Sequence, residues 1–213
     1  MRPQGTAAGR RALGTAACGL ALAAALAGCG GGGAERDDAP VAPGGVAAGT
    51  PAVPASYAAP LARSLPKTIA IPRLGVSAPV SQLGLKPDGR IQEPPLSRPN
   101  LAGWWKEGPT PGEGGPSVIL GHVDANKRAA VFYRLKDLKP GDRVRVGRED
   151  GGTATFAVQR VERVAKASFP GEKVYAEDLD YPALRLVTCG GTFNPRTGHY
   201  VDNVIVYTRL VRS

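Results

Sequence analysis

Residues 68–80 read Thr68-Ile69-Ala70-Ile71-Pro72-Arg73-Leu74-Gly75-Val76-Ser77-Ala78-Pro79-Val80. Two short runs rich in β-branched residues are separated by proline and glycine, the punctuation that ends a strand and turns the chain. The same texture continues to the end. Further strand candidates are Pro116–Leu120, Arg143–Val146, Ala154–Val158, Leu184–Thr188 and Val204–Thr208. Between them lie the turn signals Pro87-Asp88-Gly89, Lys139-Pro140-Gly141-Asp142 and Asp150-Gly151-Gly152. Many short strands at this spacing predict an all-β fold, a closed antiparallel barrel. One short helix is expected within Ala129–Leu138, where Phe132, Leu135 and Leu138 recur at helical spacing. No GxGxxG, P-loop or paired Cys/His metal spacing is present, which argues against nucleotide and structural-zinc chemistry.

Toward the N-terminus the texture changes. Arg2, Arg10 and Arg11 precede an apolar run, Ala12–Gly28, that ends in Leu26-Ala27-Gly28-Cys29. Charged, apolar and small residues in that order mark an export signal, expected over residues 1–29. Its end resembles a lipobox, in which Cys29 would be lipidated; the alternative is an uncleaved signal anchor. Either keeps the protein at the extracytoplasmic face of the membrane. Residues 30–62 are rich in Gly, Ala and Pro and cannot bury apolar surface, so they are expected to be a tether. The folded domain is expected over residues 63–213, about one ordinary domain in length.

Of the net charge of +9, residues 1–33 carry +3, residues 34–62 carry −2, and the remainder carries +8. The cations are scattered rather than interleaved with aromatics, so no nucleic acid is expected. An anionic wall or membrane surface suits the charge better.

Three cysteines are present, and Cys18 and Cys29 belong to the export signal, leaving Cys189 alone in the domain. An unpaired thiol in an oxidising compartment is a liability unless it has chemistry to perform. Two histidines accompany it, His122 and His199. His122 follows a strand candidate in Val118-Ile119-Leu120-Gly121-His122-Val123-Asp124, and Cys189 follows another in Leu184–Thr188. Both are read as strand-end residues beside glycines, rigidly based and open to a substrate backbone. A thiol nucleophile needs a base to take its proton and an acid for the leaving amine, and one imidazole can do both. Asp124 would orient His122 or cap a turn. Trp104 and Trp105 would pack the barrel or border a groove.

Leu186-Val187-Thr188-Cys189 resembles the Leu-x-Thr-Cys signature of sortases, and Leu120-Gly121-His122 resembles their histidine segment. Residues 67–209 are similar to the catalytic domain of actinobacterial class F sortases. The similar stretches include Ile119–Asp124, Ala130–Leu135, Thr188–Gly191, Thr197–Tyr200 and Asp202-Asn203. The resemblance implies an eight-stranded barrel with one or two short helices and a cysteine transpeptidase that needs no cofactor. It implies Cys189 as nucleophile and His122 as acid/base, acting through a thioester on surface proteins that carry a Leu-Pro-x-Thr-Gly-like signal. An amine of a peptidoglycan precursor would resolve the thioester. A monomer is expected.

The family's third residue is an arginine about a dozen positions after the cysteine, and here the sequence departs from the pattern. The expected position falls near Asn203, position 201 is Val201, and the nearest guanidinium is Arg196. Asn203 and Arg196 are both candidate oxyanion donors. Two alternatives follow: an exported wall-binding barrel with weak catalysis, or a papain-like hydrolase. The latter is disfavoured because here histidine precedes cysteine and both follow strands.

Overall fold

The structure, a computed structural model, describes residues 56–212. Its strands are β1 (Pro66–Ile71), β2 (Val76–Leu83), β3 (Ala102–Trp105), β4 (Gly115–Leu120), β5 (Asp124–Ala125), β6 (Arg128–Ala129), β7 (Arg143–Arg148), β8 (Thr153–Ala165), β9 (Pro182–Asn194) and β10 (His199–Leu210). Eight of them close a barrel in the order β1-β2-β3-β4-β9-β10-β8-β7, while β5 and β6 form a separate hairpin. The expected eight-stranded barrel is present.

Its strand directions are not those expected. β3 runs parallel to β2, and β9 parallel to β4. Alternating runs reveal strands but not their directions; long connections, residues 84–101 and 121–181, carry the chain back to make the parallel pairs.

The helix expected over 129–138 is also corrected. Only a 3₁₀ turn forms there, at Leu135–Asp137. The amides that would start a helix bond elsewhere: Ala130 donates to Val123 O at 3.1 Å and Phe132 to His122 O at 3.0 Å. Phe132, Leu135 and Leu138 nevertheless share the core, since a spacing of three serves a tighter turn as well. The short α-helix is α1 (Gly171–Tyr175), within the β8–β9 connection.

Two apolar layers flank β9. On the barrel side, Leu184 and Leu186 join Val204 and Val206 of β10 with Ile69, Trp104 and Phe156. On the outer side, Val187 and Ile205 pack with Val118, Tyr207 and Val174 of α1. Strand alternation produces both layers from one strand.

Residues 56–62, read as the end of the tether, already join the barrel. Ala58 N–H donates to Leu210 O at 3.2 Å and Leu61 N–H to Gly112 O at 2.8 Å. The expected export signal, with Cys29, and the rest of the expected tether lie outside the described residues. Among the described residues, no helix is long and apolar enough to cross a membrane.

Candidate active site

Cys189 does not sit where its strand ends. β9 continues to Asn194 and pairs with β10 through a hairpin that projects past the cysteine. Among the described residues Cys189 is a free thiol, half-buried. Its strand partner in β10 is Asn203. Residues directly opposed in an antiparallel pair share a face, with Cβ atoms about 4.5–5.5 Å apart. The adjacent pair, Thr188 and Val204, takes the opposite face, and Val204 belongs to the barrel core. Cys189 and Asn203 therefore face outward, with Val187 and Ile205.

On the other edge of β9, Leu120 of β4 is in register with Val187, and Gly121 N–H donates to Val187 O at 3.1 Å. His122 follows two residues past the last paired residue of β4, and Cys189 two residues past Val187 on β9. The half-buried imidazole is anchored through Nε2, 2.6 Å from the Pro94 carbonyl. A carbonyl only accepts, so Nε2 carries the proton and Nδ1 is left for proton exchange. Cys189 and Asn203 thus stand side by side on adjacent strands, and His122, at the head of the loop that follows β4, completes the row.

The other candidates lie apart from this row. Arg196 is exposed in the 195–198 turn, beyond Asn194, and its N–H donates to Asn194 Oδ1 at 3.0 Å. Five residue steps along the strand separate Asn194 from Cys189, roughly 16 Å. Val201 is 45% exposed. It faces a bulge at which Gly191-Thr192 oppose it alone, with Gly191 at φ 75°, a backbone shape that favours glycine. His199 is exposed at the start of β10. Asp124 bonds away from His122: its Oδ2 accepts from the Tyr200 hydroxyl at 2.9 Å. Burial first, and then this bond, raises the Tyr200 pKa above the usual tyrosine value. Trp104 is wholly buried, and Trp105 borders the outer layer, edge-on to Tyr175 with ring centroids 6.5 Å apart. Burial pushes the Tyr175 hydroxyl up to about 12.

The glycines beside the row have packing reasons. A Cβ on Gly121 would lie 2.5 Å from Phe132 Cδ2, and one on Gly190 would lie 2.8 Å from Val204 Cγ2.

One residue that the sequence did not single out also borders the site. Arg163 lines, together with Cys189, Tyr133 and Tyr200, an open cavity of about 910 Å³. Its Nε lies 3.3 Å from Asp202 Oδ2. The strand candidate read in this region ended at Val158, whereas β8 runs on to Ala165, so nothing in the sequence marked position 163.

A thiol and an amide paired on adjacent strands of a closed barrel, with an imidazole just past the end of the strand on the other side, define a cysteine-centred site. A sortase-domain family model matches residues 69–211, about two thirds of the sequence, and the chain belongs to the sortase family. Among solved structures it is similar to sortase A from Corynebacterium diphtheriae, at 18% identity and TM-score 0.55, over 71% of this chain and 63% of that one. It is also similar to sortase C1 of GBS Pilus Island 1, at 18% identity and TM-score 0.54, over 68% and 64%. Sortase C-1 from Actinomyces oris matches at 22% identity and TM-score 0.53, over 68% and 73%. The chain thus spans less than two thirds of the length of the first two, and the likeness lies in the barrel. No curated protein matches the sequence.

Proposed function

We propose that the chain is a cysteine transpeptidase that joins surface proteins to the cell wall at the extracytoplasmic face of the membrane, held there by its N-terminal segment. The observation that carries this reading is the row His122, Cys189, Asn203.

The Cys189 thiolate attacks the threonyl carbonyl carbon of a Leu-Pro-x-Thr-Gly-like signal. Negative charge collects on the carbonyl oxygen, where the Asn203 amide, facing the same way as the thiol, donates a hydrogen bond. Collapse breaks the threonyl–glycine bond as protonated His122 gives its Nδ1 proton to the leaving amine, and a thioester remains. An amine of a wall precursor then attacks the thioester, His122 takes its proton, and the thiolate leaves.

The test is incubation of the protein with such a peptide and a free amine. Transfer product is expected from the native chain and none from Cys189→Ala; undiminished transfer by that variant overturns the reading. Mass analysis of the membrane-bound form tests the anchor: acylation at Cys29 supports the lipobox, and an intact Met1 end refutes it.

A further inference from the structure

β4 leaves the sheet just before His122. The last ladder bond on that edge is Gly121 N–H to Val187 O, and beyond it the chain closes on itself through Ala130 N–H to Val123 O and Phe132 N–H to His122 O. All but one of the side-chain and backbone bonds that hold this 122–131 loop from outside run toward residues 94–99. They are His122 Nε2 to Pro94 O at 2.6 Å, Asn126 Nδ2 to Leu96 O at 3.5 Å, and Val131 N–H to Pro99 O at 2.8 Å. That segment is not part of the strand that bears the thiol.

Toward the β9–β10 hairpin, one hydrogen bond crosses among the described residues: the Tyr200 hydroxyl donates to Asp124 Oδ2 at 2.9 Å. Asp124 is two residues after His122, and Tyr200 is three before Asn203. The contact therefore joins the two outer members of the catalytic row across the strand between them. Tyr200 lines the cavity with Gly190, Gly191 and Thr192, so the phenol spans β9 where side chains are small. Phe193, its strand partner, meets the ring edge-on with centroids 5.3 Å apart and fixes its orientation. A bond to a carboxylate is stronger than a neutral one, which suits a single contact that must hold two elements in register.

We infer that Tyr200 and Asp124 are positioning residues: their hydrogen bond locks the loop bearing His122 to the hairpin bearing Cys189 and so sets the separation of imidazole and thiol. Neither residue touches the reacting atoms. The inference rests on the transpeptidase reading for its catalytic consequence, but its structural content concerns the His122–Cys189 pair alone.

The test uses Tyr200→Phe, which keeps the ring against Phe193 and removes the donor, Asp124→Ala, which removes the acceptor, and Asp124→Asn, which keeps an acceptor oxygen. Two readouts are taken: peptide cleavage kinetics, and the pH dependence of Cys189 alkylation by iodoacetamide, which needs no sorting peptide. Misplacement of a catalytic group by about 1 Å can cost on the order of 100-fold. Tyr200→Phe and Asp124→Ala are expected to lower kcat by about 10- to 100-fold, with KM changed less than about threefold, and to shift the alkylation profile. Their double variant should be no worse than either alone, and Asp124→Asn should recover most of the rate.

Native alkylation profiles in both Tyr200→Phe and Asp124→Ala overturn the inference, whatever happens to the rate. A native chain that cleaves no peptide defeats the proposed function instead, and the alkylation readout still decides the role of the pair.

Discussion

Asn203 stands directly opposite Cys189 in the β9–β10 ladder, on the face that also carries Val187 and Ile205. The register makes the amide, not the distant Arg196, the side chain held beside the thiol. If Asn203 donates to the developing oxyanion, its removal should act on the transition state. Asn203→Ala is expected to lower kcat by about 10²- to 10³-fold with little change in KM. Arg196→Ala should stay within about twofold of native, because a side chain absent from the transition state carries no such term. Steady-state kinetics on a sorting peptide check both, and the reverse ranking would return the role to Arg196.

His122 Nε2 is committed to the Pro94 carbonyl, which lies in the Pro94-Pro95 pair, where fixed φ angles limit backbone movement. The donor state at Nε2 leaves Nδ1 as the atom that gains and loses the proton. Side-chain ¹⁵N chemical shifts of His122 should report a protonated Nε2 in the neutral ring. A dominant Nδ1–H tautomer would break the proton path described above.

How much of this was legible in the sequence depended on what each feature rests on. The runs at 116–120, 143–146, 154–158, 184–188 and 204–208 form strands because their apolar alternation is local. β3 escaped notice: its four residues, Ala102–Trp105, include Gly103, which is there because a Cβ would meet Leu83 at 2.5 Å. Parallel pairing was illegible for a similar reason, since direction is set by connections rather than by composition. Cys189 and His122 were readable from their rarity and motif. The pairing of Cys189 with Asn203, and the placement of Tyr200 and Arg163, depend on ladder register and a bulge at Gly191 that no local pattern encodes.

Gly121 shows how packing and site are tied. Its missing Cβ makes room for Phe132 Cδ2 and Val131 Cγ1, at 2.5 and 2.7 Å. Gly121→Ala forces apart the core and the loop that carries His122. Overpacking of this kind costs about 1–3 kcal/mol, and in a domain of this size each kcal/mol lowers Tm by roughly 2–4 °C. Thermal unfolding should show the loss, and kcat should fall with it because His122 is the next residue. A native Tm would mean that Phe132 yields freely.

Tyr175 offers a pH test of the wall beside the outer layer. Its hydroxyl is raised to about 12 by burial against Trp105 and Phe169. Below the unfolded value near 10 the neutral phenol is present in both states, and its contribution to stability is complete. As pH rises from about 10 to about 12, the unfolded chain loses the proton first and the contribution declines. Ultraviolet titration should show one phenolate transition near 12 that disappears in Tyr175→Phe. That variant should also lose less stability than the native chain across the same range. A Tyr175 transition near 10 would mean that the wall is open to water.

Arg185, four residues before Cys189 on β9, is 4% exposed, and its Nη2 lies 2.8 Å from Glu177 Oε2. Glu177 lies just past α1, in the connection that covers the outer layer, so the ion pair ties that cover to the strand that bears Cys189. The guanidinium also lies 4.7 Å from the Tyr207 ring centre, and its Nε has no partner, so the carboxylate supplies much of its compensation. Breaking a fully buried pair costs about 3–5 kcal/mol, because one charge is left without a partner. Glu177 is 32% exposed, so water tempers the loss, and Glu177→Gln is expected to cost about 1–3 kcal/mol. If the cover shapes the peptide-binding surface, KM for the sorting peptide should rise more than kcat falls, since the charge pair does not touch the reacting atoms. A fall in kcat alone would place Arg185 in the chemistry instead, whereas the ladder register puts it two strand repeats away from the thiol.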